Sequence, residues 1–328
     1  VVLFCAAGLP TVPVTARDVV PKQAVRGVSR TDQNWHAFWD QHLGAWQGRW
    51  TRYSPSGDVI ETFQSTRAFT ADLPRTAIEQ VNSYVFPDGR RVQKQWTYNR
   101  DDHSLATGFA HPASATMRGL AFRNGAAAWL IPTPQPQSWM PFELYLKQGD
   151  LRQSVGVVYG KDGRLVRTAS IREGLAGFPG QFWSDRIGQE AAWSLEGDWV
   201  GKGELMRADL SRSPLPSTTW KPWEESQALH YLPDKTILSC PDKIQVGHPF
   251  SLTVIWMIED DLIDNIVITT LRESVLEQWF KEINNPGKQS KLLSLIDVQF
   301  RRYGGINQGG KYRFSRHRRK LFLTGKSG

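Results

Sequence analysis

Leu43-Gly44-Ala45-Trp46-Gln47-Gly48 and Leu195-Glu196-Gly197-Asp198-Trp199-Val200-Gly201 are the two stretches that decide the fold, and their first glycines lie 153 residues apart. Each is a Gly-x-Trp-x-Gly signal at the opening of a strand, and the spacing is about one domain length. Two such starts argue for one architecture used twice. Working outward, Trp35, Phe38, Trp39 and Leu43 fall at i, i+3, i+4 and i+8, one apolar face of a short helix that Thr31 or Asp32 would cap. Phe182, Ile187, Ala191 and Trp193 suggest a second helical lead-in before the second start.

After the first start, turn signals recur at β-protein spacing, among them Pro55-Ser56-Gly57-Asp58, Pro87-Asp88-Gly89, Asn124-Gly125 and Lys161-Asp162-Gly163. Period-two segments lie between them. Ile78, Gln80, Asn82 and Tyr84 share one face, as do Val92, Lys94, Trp96 and Tyr98, then Phe142, Leu144 and Leu146, then Leu151, Gln153, Val155, Val157 and Tyr159. The spacing predicts about nine short antiparallel strands. A helix followed by such a meander reads as a small closed barrel, because closure removes exposed sheet edges; a β-sandwich is the competing architecture.

The chain has 328 residues and a formal charge of +8, but the charge is unevenly placed. Residues 1–30 carry +3 and residues 301–328 carry +9, so the body is mildly acidic at −4. The basic ends therefore say little about what the body binds. Cys5 and Cys240 are the only cysteines, which excludes a disulfide scaffold and a zinc finger. No apolar run reaches the length of a membrane-spanning helix. Residues 1–31 read as a disordered or targeting segment, with plastid import expected in a eukaryote and a cytoplasmic protein in a cyanobacterium.

The Gly-x-Trp opening of a small barrel is similar to the lipocalin and calycin signature. The fuller stretch Trp35…Phe38…Leu43-Gly44-Ala45-Trp46-Gln47-Gly48…Thr51-Arg52-Tyr53-Ser54-Pro55-Ser56-Gly57 resembles the family called domain of unknown function 3598, of cyanobacteria and plastid-bearing eukaryotes. Cys240-Pro241, Gly247-His248-Pro249-Phe250 and Ile255-Trp256 are similar to that family's second half. The resemblance implies an all-β chain of two tandem lipocalin-like barrels, with no biochemical role attached. Domains are expected at 32–178 and 179–270, the second barrel incomplete because few residues separate Trp199 from Thr270. Residues 271–328 are expected to be a helix and a basic tail, and residues 259–328 match the family least.

In lipocalin-like barrels this Trp closes one end beneath a stacked Arg of the last strand. The resemblance thus implies closing roles for Gly44, Trp46, Gly197 and Trp199. Arg167, on one face with Leu165, Ala169 and Ile171, is the expected partner of Trp46. Tyr84, Trp96, Tyr98, Trp129 and Phe142 are the candidate lining of a cup for a flat hydrophobic ligand such as a tetrapyrrole or carotenoid, with plain core filling as the alternative. The histidines are dispersed without metal-ligand spacing, and no nucleophile elbow or Cys–His pair marks a catalytic residue. His248 could face a haem or simply occupy a turn. Glu259, Asp260, Asp261 and Asp264 read as a solvated turn. The basic tail 301–328 could touch nucleic acid or an anionic membrane surface, or be disordered. Three functions compete: a ligand carrier, an enzyme of the bilin-lyase type, and an assembly protein with filled barrels.

Overall fold

Ser29 starts the first element, its hydroxyl accepting the Asp32 amide at 3.0 Å. The helix it caps, α1 (Arg30–His42), carries Trp35, Phe38, Trp39 and His42 on one buried face. The cap thus falls two residues before Thr31, and the early Asp32 suits the helix dipole. The structure is a computed structural model describing residues 28–195, 197–219, 228–270 and 293–302. The expected leader and most of the basic tail lie outside those residues.

Eleven strands follow α1: β1 (Gly44–Tyr53), β2 (Val59–Ala71), β3 (Ala77–Val85), β4 (Arg91–Asn99), β5 (Ser104–Leu105), β6 (Gly108–His111), β7 (Ser114–Ala121), β8 (Ala127–Leu130), β9 (Met140–Gln148), β10 (Leu151–Tyr159) and β11 (Leu165–Gly174). The count exceeds nine because the short β5 and β6 follow a one-turn helix, α2 (Arg100–His103). All pairings are antiparallel, in the order β4-β3-β2-β1-β11-β10-β9-β8-β7-β6-β5. β1 therefore pairs with both its successor and the last strand. The sheet is a nearly closed barrel, left open between β4 and β5.

The second sheet comprises β12 (Trp199–Met206), β13 (Arg212–Thr219), β14 (Ala228–Leu232), β15 (Thr236–Cys240), β16 (Ser251–Glu259), β17 (Leu262–Thr270) and β18 (Leu293–Arg302). Its order is β13-β12-β18-β17-β16-β15-β14, and it is not closed. Here two expectations are corrected. The second unit does not stop at 270: β18, in the supposed helix-and-tail region, pairs with both β12 and β17, and it buries Leu293 and Leu295 on one face and Val298 and Phe300 on the other. The segment 180–195 forms turns and bends rather than a lead-in helix. It is held instead by Arg172, whose guanidinium reaches the Ser184 and Arg186 carbonyls and Asp234, and by Trp183, stacked on Trp256 at 5.5 Å.

The largest core is not inside either sheet but between them. Leu144, Val155, Val157 and Tyr159 of the barrel's outer face pack with Leu238, Val254, Trp256, Ile266, Ile268 and Leu295 of the second sheet. The wall strands β9 and β10 are thus covered on two sides, apolar toward the second sheet and largely polar toward the barrel interior. Inside the barrel, α1 forms the second core with Trp46, Phe69, Tyr98, Phe109, Trp129 and Tyr145. Asn34 ties the helix to β7, donating to the Gly119 carbonyl at 2.9 Å and accepting from the Ala121 amide at 3.0 Å.

Candidate functional site

The strand register lays the barrel's inner wall in rows. Gly48, Glu173, Arg152 and Lys147 form the row nearest the helix; then come Trp50, Ile171, Ser154 and Tyr145; then Arg52, Ala169, Gly156 and Glu143; Arg167, Val158 and Pro141 follow toward the mouth. Gly48 is required in the first row, because a Cβ there would stand 2.5 Å from the Glu173 side chain.

The first two rows hold a buried ionic network. Glu173, fully buried, accepts from Arg67 Nε at 2.6 Å and Arg152 Nε at 2.8 Å, and Arg67 Nη2 closes the second bond of a bidentate pair. Arg67 Nη1 also reaches Glu143 Oε1 at 2.9 Å. Burial alone would raise the Glu173 pKa, but Arg152 and Arg67 outweigh it and hold the carboxyl below its usual range. Two guanidiniums thus face two carboxylates. Arg152 Nη1 donates to His42 Nδ1 at 3.1 Å, which leaves the His42 Nε2–H to donate to the Gly125 carbonyl at 3.0 Å. Burial and the Arg152 charge push the His42 pKa well down, so this histidine is neutral.

The cation above Trp46 is Arg152 of β10, at 4.3 Å, and not Arg167. The indole N–H of Trp46 donates to the His42 carbonyl at 2.8 Å, locking the ring under it. Arg167 does face inward with Ala169 and Ile171, but it lies three rows from Glu173 and one row further from Trp46, out of reach of both. Trp199 is buried in a smaller core with Ile255, Ile263, Val298 and Phe300.

Beyond the network the wall encloses a cavity of about 140 Å³, bordered by Trp50, Met117, Pro141, Val158 and Ile171 together with Arg52, Glu143 and Arg167. Gly156 and Ala169 create it: a Cβ built on Gly156 meets only the Ala169 methyl at 3.4 Å. A wider surface groove of about 400 Å³ beside Phe86 and Ile187 contains Arg49, which is already bonded to the Asp185 carbonyl.

The five expected lining residues separate. Tyr98 and Trp129 are packed by α1, Tyr98 at 4.9 Å from the Trp39 ring and Trp129 at 6.1 Å from Phe38, so the helix fills the space in front of them. Trp96 lies half-buried against His111 near the open side of the barrel. Tyr84 faces inward beside Trp50 and Phe63. Phe142 borders the cavity, yet its ring packs in the inter-sheet core, 6.1 Å from Phe250. Sequence reasoning missed Arg152, Glu173 and Glu143. The hairpin centred on Asp162-Gly163 was readable, and it sets Arg152 directly opposite Glu173; opposite charges facing across a hairpin were the available signal. His248 is exposed on a turn, and among the described residues no group of His, Cys, Asp and Glu is arranged to hold a metal. Nor is any described helix long and apolar enough to cross a membrane.

These features define an all-β protein whose first unit is a nearly closed antiparallel barrel, stoppered by a helix and charged within. Residues 31–178 match the family described as "Domain of unknown function (DUF3598), N-terminal", close to the boundaries of the barrel and its helix. A DUF3598 protein of unknown function from Nostoc punctiforme PCC 73102 has a similar structure, with a TM-score of 0.58 at 18% identity, covering 82% of this chain and 98% of that one. That likeness establishes the shared fold. An S-type phycobiliprotein lyase from Guillardia theta aligns at 11% identity over 44% of this chain and 93% of its own, with a TM-score of 0.30, too slight to bear on fold or activity. No curated protein matches the chain.

Proposed function

We propose that the protein is a lipocalin-like carrier that binds one small amphipathic molecule at the mouth of its first barrel. The observation that carries this reading is the cavity left by Gly156 and Ala169, a concave, mostly apolar space with a few converging polar groups. Arg167 adds polarity. It is half-buried and, among the described residues, makes no ion pair or hydrogen bond, so an anionic ligand end would supply the missing partner. Between the pigment classes considered, this favours an acid-bearing tetrapyrrole over a carotenoid hydrocarbon. The basic, acid-poor composition of residues 1–30 supports import into a plastid.

Native mass spectrometry of the protein with dodecanoate, biliverdin and haem tests the proposal. A one-to-one complex is expected that disappears in Gly156→Leu while the melting temperature holds. Absence of any complex would overturn the carrier reading. The assembly-protein reading would then gain ground, since Trp35, Phe38 and Trp39 already pack into the barrel core.

A further inference from the structure

The polar groups on the cavity wall are not equivalent. Glu143 is 19% exposed and faces the cavity from the Gly156 row. A carboxylate can accept about four hydrogen bonds. Glu143 Oε1 accepts from Arg67 Nη1 and Ser154 Oγ, both at 2.9 Å, and the Tyr145 hydroxyl also bonds this carboxylate, so acceptor capacity is left over. These bonds fix the carboxylate on the border of the cavity, where its remaining acceptor capacity can meet a ligand. Arg52 is already engaged with Glu61 at 2.6 Å, so Arg167 is the cation left for an anion.

Register sets the span between the two groups. Arg167 lies two strands and one row from Glu143, which places their Cα atoms on the order of 12 Å apart. With both side chains reaching inward, the gap suits a bicyclic ring with a short acid arm. The floor between them is Gly156 and Ala169, a smooth surface without projecting side chains, and Trp50 stands beside it. A flat ring matches such a floor better than a flexible chain.

We infer, resting on the cavity as the binding site, that its ligand is a flat heteroaromatic carboxylic acid whose ring N–H donates to Glu143 and whose carboxylate pairs with Arg167. Two sources carry this chemistry: a free bicyclic acid, or one pyrrole ring of a linear tetrapyrrole with its propionate, the remainder lying outside the mouth.

Calorimetric titration with indole-3-propionate, with 3-(1-naphthyl)propionate, which lacks the N–H, and with biliverdin tests the inference and separates the sources. Wild type should bind the indole acid at least about tenfold more tightly than the naphthyl acid, because a site built to accept an N–H discriminates against a ligand without one. Glu143→Gln should erase that difference and leave the naphthyl acid unchanged: Arg67 and Ser154 hold the amide oxygen, so the amide NH2 meets the ligand's N–H. Arg167→Gln should weaken both acids about tenfold or more. Biliverdin binding that falls in both variants, with no binding of the indole acid, would assign the same contacts to a tetrapyrrole ring.

Equal affinity for the two bicyclic acids, together with biliverdin binding indifferent to Glu143→Gln, would overturn the inference. So would failure of both the indole acid and biliverdin to bind. In either case dodecanoate binding that is lost in Gly156→Leu would leave the carrier reading standing. The comparison of the two acids uses wild-type protein, so it does not depend on how well the Glu143 variant folds.

Discussion

The two sheets use the same circuit of pairing and reach different ends. In each, the opening strand with its Gly-x-Trp lies between its successor and the last strand, β1 between β2 and β11, β12 between β13 and β18. The first sheet curls into a nearly closed barrel of eleven strands; the second stays open. The difference lies in what fills the concave side. The barrel has α1 and a balanced ionic network, whereas the corresponding 180–195 segment leading into the second sheet is irregular and places Trp183 in the inter-sheet core. The second sheet buries its large apolar face against the first barrel instead. A strand circuit specifies closure only when something occupies the space it encloses.

The comparison breaks hardest at Glu173. Glu173→Ala leaves Arg67 and Arg152 buried without their shared carboxylate, and should cost the barrel roughly 3–5 kcal/mol in chemical denaturation. The second sheet has no equivalent among its described residues, so its weakness lies in the inter-sheet core. Ile266→Ala there should cost roughly 2–5 kcal/mol, and limited proteolysis should then cut the second sheet first.

A pH titration sharpens the contrast next. Asp297 and Asp264 lie diagonally on the β17–β18 face toward the barrel, Asp297 accepting from Asn124 and Asp264 from Gln299, each at 2.8 Å. Burial, with the Asp264 and Glu204 charges, pushes Asp297 up to about 7, and burial pushes Asp264 up to about 6. Between pH 4 and 7 the folded state then binds more protons than the unfolded chain, so these groups make stability fall as pH rises through that window. Glu173, lowered, acts in the opposite sense and loses its contribution only in acid. Asp297→Asn should flatten the decline between pH 4 and 7, an effect on the order of 2–3 kcal/mol in thermal unfolding; an unchanged slope would show that Asp297 is not the titrating group.

The smallest contrast is between the two opening glycines, both at positive φ, +110° at Gly44 and +93° at Gly197. Gly44→Ala meets a Leu175 methyl at 2.8 Å, and Gly197→Ala meets the side chain of Arg302, which can swing away. The first should cost on the order of 1–3 kcal/mol and the second nearer 1; equal melting temperatures would remove the distinction.

Much of the barrel was readable because alternation reports directly on a pleated wall. Ile78, Gln80, Asn82 and Tyr84 do share one face of β3, the inner one. Alternation does not say which face is which. On β9 and β10 the more apolar set, Phe142, Leu144, Val155 and Val157, turns toward the second sheet, while Glu143, Tyr145, Arg152 and Ser154 turn inward. Equating apolar with interior therefore put Phe142 in the cup and left the charged residues out. Asp264 was grouped with the turn acids Glu259, Asp260 and Asp261, because only the register of β17 shows that it points into the inter-sheet core. β18 is hard to read because residues 271–292 separate it from its nearest partner in the sequence, β17, and non-local pairing leaves no local mark.

The unpaired boundary between β4 and β5, bridged only by the turn of α2, gives the barrel wall a seam. A closed cylinder can widen only by shearing every strand pair at once; a seamed one can widen by parting where no ladder bond has to break. Amide exchange should accordingly rank the wall by distance from that line, fastest in β4 and β5 and slowest in β1, β10 and β11 on the far side. The barrel is in this respect a clasp rather than a ring, and its girth can follow what it holds.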